Sequence, residues 1–274
     1  MRRHPTAFTE MLRCTLLGHV RNRTAMLLAV AFIPGWIAVA RLCASDRPVR
    51  FSLDSVGVDV LAPANHVSQV ANALAAVTLV TGFMMFMETF KAGKTDRRLL
   101  LAGYPRLPIL LAKVAAVALV AALLALYTTA VLWGSLPVRQ SGPLALAVLG
   151  AGLAYGGIGL LLGSVVRGEL EGFFLVIMLS LVDTGLQNPV LNVVDLAGLT
   201  ALPLYGANQL ALAAAFTSPV PWSHALLSLA WSAATSALAL LVFQARARSP
   251  RGPRGPRGSR AVPEGGAPVP VASR

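Results

Sequence analysis

Charged residues are scarce in this chain of 274 residues. They make up 12% of the sequence, whereas hydrophobic residues make up 56%, and a soluble domain contains about 25% charged residues. The scarcity excludes an ordinary soluble domain and predicts a polytopic membrane protein. The net charge of +12 does not indicate nucleic-acid binding. The basic residues flank apolar runs, where retention on the cytoplasmic side and contact with anionic lipid head groups account for them.

Catalytic signatures are also missing. The sequence has no His-Glu-x-x-His or Gly-x-Ser-x-Gly element, and its four histidines are scattered. We therefore expect no enzyme activity, and no metal or cofactor bound by this chain. The two cysteines, Cys14 and Cys43, fall at opposite ends of the first apolar run, so we do not expect a disulfide between them.

Ionisable side chains are absent from the middle of the apolar runs. Glu88, Lys113, Asp183 and His224 all fall near predicted span ends, and Lys113 is close enough to the cytoplasmic side for its ammonium group to reach the interface. Ion- and proton-coupled transporters rely on charged groups within the membrane, and no inverted repeat is visible. We therefore expect the energy for any transport to come from a partner.

Six apolar runs predict six transmembrane helices in an all-α polytopic protein of the cell inner or plasma membrane. These runs are 25–40, 67–90, 107–133, 143–166, 170–186 and 222–243. Basic residues concentrate on one side of them, which predicts that both termini are cytoplasmic.

The predicted six-span transmembrane domain, 25–243, is flanked by two cytoplasmic segments. In 1–24, apolar residues recur at three- and four-residue spacing, which predicts an amphipathic helix in the cytoplasmic interface. The segment 244–274 is rich in Arg, Pro and Gly, and predicts a disordered basic tail.

Two segments on the outer side are predicted to be ordered. In 42–66, polar and apolar residues partly alternate, which is compatible with a short strand or hairpin. The segment 187–221 contains an uncharged stretch, 196–216, but another full crossing would place the basic tail outside. We therefore predict two short re-entrant helices between spans five and six.

A charged insert, 88–106, separates spans two and three. It is long enough for a helix of two or three turns, and its basic cluster is typical of a cytoplasmic segment. We interpret it as a docking element for a cytoplasmic partner. The candidate docking residues are Glu88, Lys91, Gly93, Asp96, Arg97, Arg98 and Pro105.

Four glycines recur along the fourth span. Their spacing allows close approach of another helix, most simply within the chain and otherwise across a dimer. These glycines are Gly152, Gly156, Gly159 and Gly163.

The order of these segments over about residues 6–244 resembles a type-2 ABC exporter permease. The most specific part is Glu88…Gly93…Leu99-Leu100-Leu101-Ala102…Pro105. It is similar to the family stretch Glu-x-x-x-Gly-Thr-x-Glu-x-Leu-Leu-x-x-Pro, which forms the coupling helix that docks on the ATPase. Gln187-Asn188-Pro189 looks like the family's polar-proline step into the outer re-entrant helices.

The resemblance implies a permease that pairs with a second copy or a sister permease in the lipid bilayer. ATP and magnesium would bind to a separate ATPase subunit docked on 88–106. The exported substrate would be a hydrophobic or amphipathic small molecule, such as a drug, an antibiotic or a lipid. Two alternatives stay open: a non-transporting membrane scaffold or immunity protein, and a facilitator that works without ATP.

Overall fold

The computed structural model describes residues 3–21, 23–104, 106–191 and 198–248. Within that part, the chain folds into helices and one two-stranded hairpin. Most of the predicted basic tail, 249–274, lies outside the described residues. In chain order the elements are α1 (Arg3–Arg21), α2 (Arg23–Cys43), β1 (Pro48–Leu53), β2 (Val58–Pro63), α3 (Ala64–Leu101), α4 (Arg106–Ser135), α5 (Ser141–Val165), α6 (Glu169–Leu186), a 3-10 turn (Leu199–Ala201), α7 (Tyr205–Phe216) and α8 (Trp222–Arg248).

Four of these helices are long and apolar enough to cross a membrane. Their apolar parts are Ala64–Gly93 in α3, Leu111–Ser135 in α4, Ser141–Val165 in α5 and Trp222–Val242 in α8. This finding confirms a predominantly helical membrane protein. Of the other two predicted spans, α2 has a shorter apolar part and α6 carries three acidic residues within its 18 residues.

The helices α3 and α5 form the centre of the bundle. α5 packs against α3, α4, α7 and α8, while α3 also packs against α2 and α6. Phe86 and Tyr155 are among the largest side chains that this arrangement buries completely. Leucines on the outward faces of α4 and α8, such as Leu123 and Leu241, are more than half exposed. Lipid hydrocarbon is as apolar as leucine and suits such faces.

The predicted insert at 88–106 is not a separate loop helix. α3 is one helix of 38 residues, which is about 57 Å long at 1.5 Å per residue. Its sequence from Thr89 to Leu101 contains no proline and is rich in Lys, Arg and Leu, which are good helix formers. The apolar helix therefore continues into the charged stretch without a break and ends at Leu101.

The strands β1 and β2 form an antiparallel hairpin at the start of α3, which is one of the two arrangements left open for 42–66. Phe51 pairs with Val60 in the register, and the turn uses Gly57 at φ 64°. Alternate residues face inward, and the Phe51 ring meets the Phe216 ring of α7 edge-on, with centroids 6.3 Å apart. We call this side of the bundle the hairpin end and the opposite side, where α3 meets α4, the turn end.

α7 runs antiparallel to α5 and stops inside the bundle. Its 12 residues span about 18 Å. At the hairpin end, the backbone N–H groups of Arg139 and Gln140 donate to the carbonyls of Ala215 and Ala214, at 3.3 and 3.1 Å. The opposite terminus of α7 lies beside the middle of α5. Of the two short helices expected here, the structure shows α7 and a single 3-10 turn, while 192–197 lie outside the described residues.

Candidate functional site at the ends of α3 and α6

The turn end of α3 exposes a basic surface beyond the apolar part of the helix. Lys91, Gly93, Thr95 and Arg98 are all exposed there. Of the other predicted docking residues, the side chain of Arg97 and all of Pro105 lie outside the described residues. We call Lys91, Gly93, Thr95 and Arg98 the basic arm.

Asp96 lies on the same helical segment but faces the protein interior. Its carboxylate forms an ion pair with the ammonium group of Lys113 on α4, and the two side chains are only 4% and 5% exposed. Asp96 is therefore turned away from any surface that a partner would touch. The expectation that the Lys113 side chain extends to the membrane interface is wrong, because a buried carboxylate on the neighbouring helix holds it.

A well-defined turn ends the basic arm. The N–H group of Tyr104 donates to the carbonyl of Leu99 at 3.0 Å, and Gly103 between them has φ +84°. This is the Schellman geometry, in which glycine takes the left-handed conformation that ends a helix. Together with the Asp96–Lys113 pair, the turn fixes how α3 passes into α4.

Glu88 lies at the contact between α3 and α1. A β-carbon placed at Gly18 of α1 would be 3.8 Å from Glu88 Oε2, and α1 packs along α4. Glu88 is thus partly buried and close to the N-terminal helix. α1 therefore lies beside α4 and close to Glu88 at the turn end.

The four glycines of α5 all contact other helices of the same chain. β-Carbons at Gly152 and Gly156 would lie 3.2 Å from Ala121 and 2.6 Å from Val117 of α4. One at Gly159 would overlap the carbonyl oxygen of Gly82 in α3. The remaining position, Gly163, would bring a β-carbon 2.7 Å from the Phe86 carbonyl oxygen of α3.

The predicted polar-proline step caps α6 and starts a tight turn. Gln187 occupies the C-cap position of α6. The carbonyl of Asn188 accepts the N–H of Leu191 at 3.0 Å, and its side-chain oxygen accepts the N–H of Val190 at the same distance. Pro189 lies within this turn and is half-buried. These contacts redirect the chain after α6.

Asp183 is the centre of a buried polar cluster that joins α5, α6 and the start of α7. Tyr155 on α5 donates its hydroxyl to Asp183 Oδ2 at 2.6 Å, and the N–H of Leu204 donates to the same oxygen at 3.1 Å. The side-chain amide of Gln187 donates to Oδ1, while Asn208 of α7 donates to the Gln187 carbonyl at 2.9 Å. We call these five residues the Asp183 cluster.

The three donors occupy both carboxyl oxygens of Asp183. Asp183 is 1% exposed and Tyr155 is also 1% exposed, so neither group is bathed by bulk solvent. Leu204 is the N-cap of α7, and a helix N-terminus favours a nearby negative charge. The carboxylate thus accepts the N–H of the N-cap residue, as the side chain at the third helical position does in a capping box.

Sequence reasoning located Asp183 correctly along α6 but not its surroundings. It lies in the last turn of the helix, yet that turn is enclosed beside the middle of α5 rather than at a wet interface. One signal was available. An acidic residue in the last turn faces the negative end of the helix dipole, so it needs donors from outside its own helix. Nothing in the sequence singled out Tyr155 as one of them.

Within residues 3–21, 23–104, 106–191 and 198–248, no group of three or more His, Cys, Asp or Glu side chains is arranged to hold a metal ion.

Compared with models of known protein families and with curated proteins, the chain matches none of them.

Proposed function

We propose that this protein is the membrane-spanning permease subunit of an ATP-driven ABC-type exporter, with a separate ATPase docked on the basic arm. The observation that carries the proposal is the length of α3. The helix continues beyond its apolar part, Ala64–Gly93, and carries exposed Lys91 and Arg98 at the turn end. A partner that moved this extension would act directly on a helix in the centre of the bundle.

The extension is suited to transmitting such a movement. Because Asp96 pairs with Lys113, α3 and α4 are held together where the partner would act. The Gly103 turn restricts the connection further. A displacement at the basic arm would therefore be passed on to both helices as a rigid-body motion rather than absorbed by a loose loop.

The transmembrane arrangement forms part of the proposal. We infer six crossings, formed by α2, α3, α4, α5, α6 and α8, with both termini in the cytoplasm. α7 would be re-entrant, because about 18 Å of helix is too short for a hydrocarbon core of about 30 Å. Its end beside Asp183 would then lie within the outer half of the membrane.

The two native cysteines test the orientation. Cys14 on α1 and Cys43 at the end of α2 are both exposed thiols. In intact cells, a membrane-impermeant maleimide should label the Cys14→Ser variant, through Cys43, and should label the Cys43→Ser variant only after permeabilisation. The reverse pattern would contradict the proposed orientation.

The proposed substrate is a hydrophobic or amphipathic small molecule such as a drug, an antibiotic or a lipid. The apolar, alanine- and leucine-rich helices support this class over a polyanionic glycan. The permease would act as a pair, with a second copy or a sister chain. Export assays with the ATPase present test the substrate class, and transport of glycans alone would contradict it.

The decisive experiment is affinity purification in mild detergent from the native cell. Wild type should co-purify an ABC-type ATPase, and Lys91→Glu combined with Arg98→Glu should lose it. The matched control is Arg47→Glu combined with Arg50→Glu, a double charge reversal of exposed residues at the hairpin end. It should retain the ATPase. If wild type yields no ATPase even after crosslinking, the proposed exporter function is wrong, and the protein is a scaffold or an ATP-independent facilitator instead.

A further inference from the structure

We propose that the Asp183 cluster is a catch that holds the inner terminus of α7 against α5 and α6, and that its release lets α7 move during transport. The catch itself is a property of this chain alone. Only its opening during a transport cycle rests on the proposed function.

The first argument is that one carboxylate ties together three elements. Tyr155 belongs to α5, Gln187 caps α6, and Leu204 begins α7. All three donate to Asp183. A buried carboxylate that loses its donors is strongly destabilised unless water reaches it. The contact is therefore either fully made or fully opened to water, as a two-state catch requires.

The second argument is that the packing of α7 is mostly non-directional, apart from a close approach to α8, where a β-carbon at Gly206 would lie 2.5 Å from the His224 carbonyl oxygen. The sequence of α7 is Tyr-Gly-Ala-Asn-Gln-Leu-Ala-Leu-Ala-Ala-Ala-Phe, and almost the whole helix is buried. Alanine offers little apolar area, and burial of apolar area is non-directional. The alanine positions of α7 therefore contribute less to fixing its register than larger side chains would. Directional hydrogen bonds are left to set its register.

The third argument concerns the other end of α7. At the hairpin end, Gln140 donates its backbone N–H to Ala214, and its side-chain amide to the carbonyls of Thr217 and Ser218 at 3.1 and 2.6 Å. These contacts anchor the C-terminus of α7 to the α4–α5 connection without involving Asp183. Opening the catch would thus swing the inner terminus while the hairpin end stays attached.

The test measures backbone hydrogen exchange by mass spectrometry on the purified chain in detergent. Tyr155→Phe removes one donor and keeps the ring, and Asp183→Asn keeps the shape while removing the charge. Each should speed exchange over residues 204–210 by about tenfold or more, because local opening sets the rate. Tyr127→Phe is the matched control. It removes a hydroxyl that donates to the Val30 carbonyl at 2.7 Å, outside the cluster, and should leave this segment unchanged.

Unchanged exchange over 204–210 in Tyr155→Phe would overturn the catch, even if Asp183→Asn failed to fold. A second arm uses the complex with its ATPase. Trapping the complex with vanadate should speed exchange over 204–210 in wild type, and no change would make the cluster a static structural contact. If no ATPase binds, the proposed function fails, while the result on the isolated chain still decides whether the catch exists.

Discussion

The buried pair between Asp96 and Lys113 allows a quantitative prediction for stability. Both side chains are about 95% buried, so removing either partner leaves the other charge in a poorly solvated place. Breaking such a pair costs about 3–5 kcal/mol, whereas replacing both partners costs much less. We therefore expect Asp96→Asn and Lys113→Met each to lower the free energy of unfolding by about 3–5 kcal/mol.

The double variant completes the cycle. If the charges interact, the loss in free energy of unfolding of the double variant, Asp96→Asn with Lys113→Met, should be smaller than the sum of the two single losses. The difference should be at least about 2 kcal/mol. Unfolding would be followed in detergent by the fluorescence of the four tryptophans. The control is Lys91→Met on the exposed side of the same helix, which should change stability by less than about 0.5 kcal/mol. Equal effects of Lys113→Met and Lys91→Met would refute the reasoning.

Two further pairs of substitutions test the packing. Gly159→Ala should destabilise the protein by about 1–3 kcal/mol, because the added β-carbon would overlap the Gly82 carbonyl oxygen. Gly35→Ala, whose β-carbon would meet nothing within 4 Å, should be neutral or stabilising by up to about 1 kcal/mol. Thermal unfolding of the two variants compares their stabilities. Phe51→Ala, at a side chain 8% exposed, should cost about 3–5 kcal/mol, while Leu61→Ala, at one 65% exposed, should cost under about 0.5 kcal/mol. Equal shifts in the midpoint of denaturant unfolding for the second pair would contradict the packing of the hairpin.

Much of the helical layout follows from local patterns in the chain. α5 and α6 begin and end within two residues of the predicted fourth and fifth spans, because hydropathy adds along the sequence and needs no tertiary contact. Alternation within 42–66 was compatible with a short strand or a hairpin, which is a local signal too, but only the structure shows a hairpin there. The helix α3 was harder to predict. A charged stretch after an apolar run indicates where the membrane ends, but not whether the helix does.

The candidate site was less predictable from the sequence, because its key contacts join residues far apart in the chain. Lys113 looked like an interfacial lysine until the orientation of α3 placed Asp96 opposite it. Asp183 looked like a span-end residue until Tyr155, 28 positions earlier, donated its hydroxyl to it. Neither pairing produces a periodic pattern or a motif.

The sequence by itself determined that this is a helical membrane protein, roughly where most of its helices lie, and where its basic charge accumulates. Those properties depend on the transfer of each residue between water and hydrocarbon, which is local and nearly additive. The tertiary structure alone decided that Asp96 and Lys113 form a buried pair and that Asp183 holds the terminus of α7. Such contacts depend on how each helix is rotated and tilted, and packing of the whole bundle sets these angles.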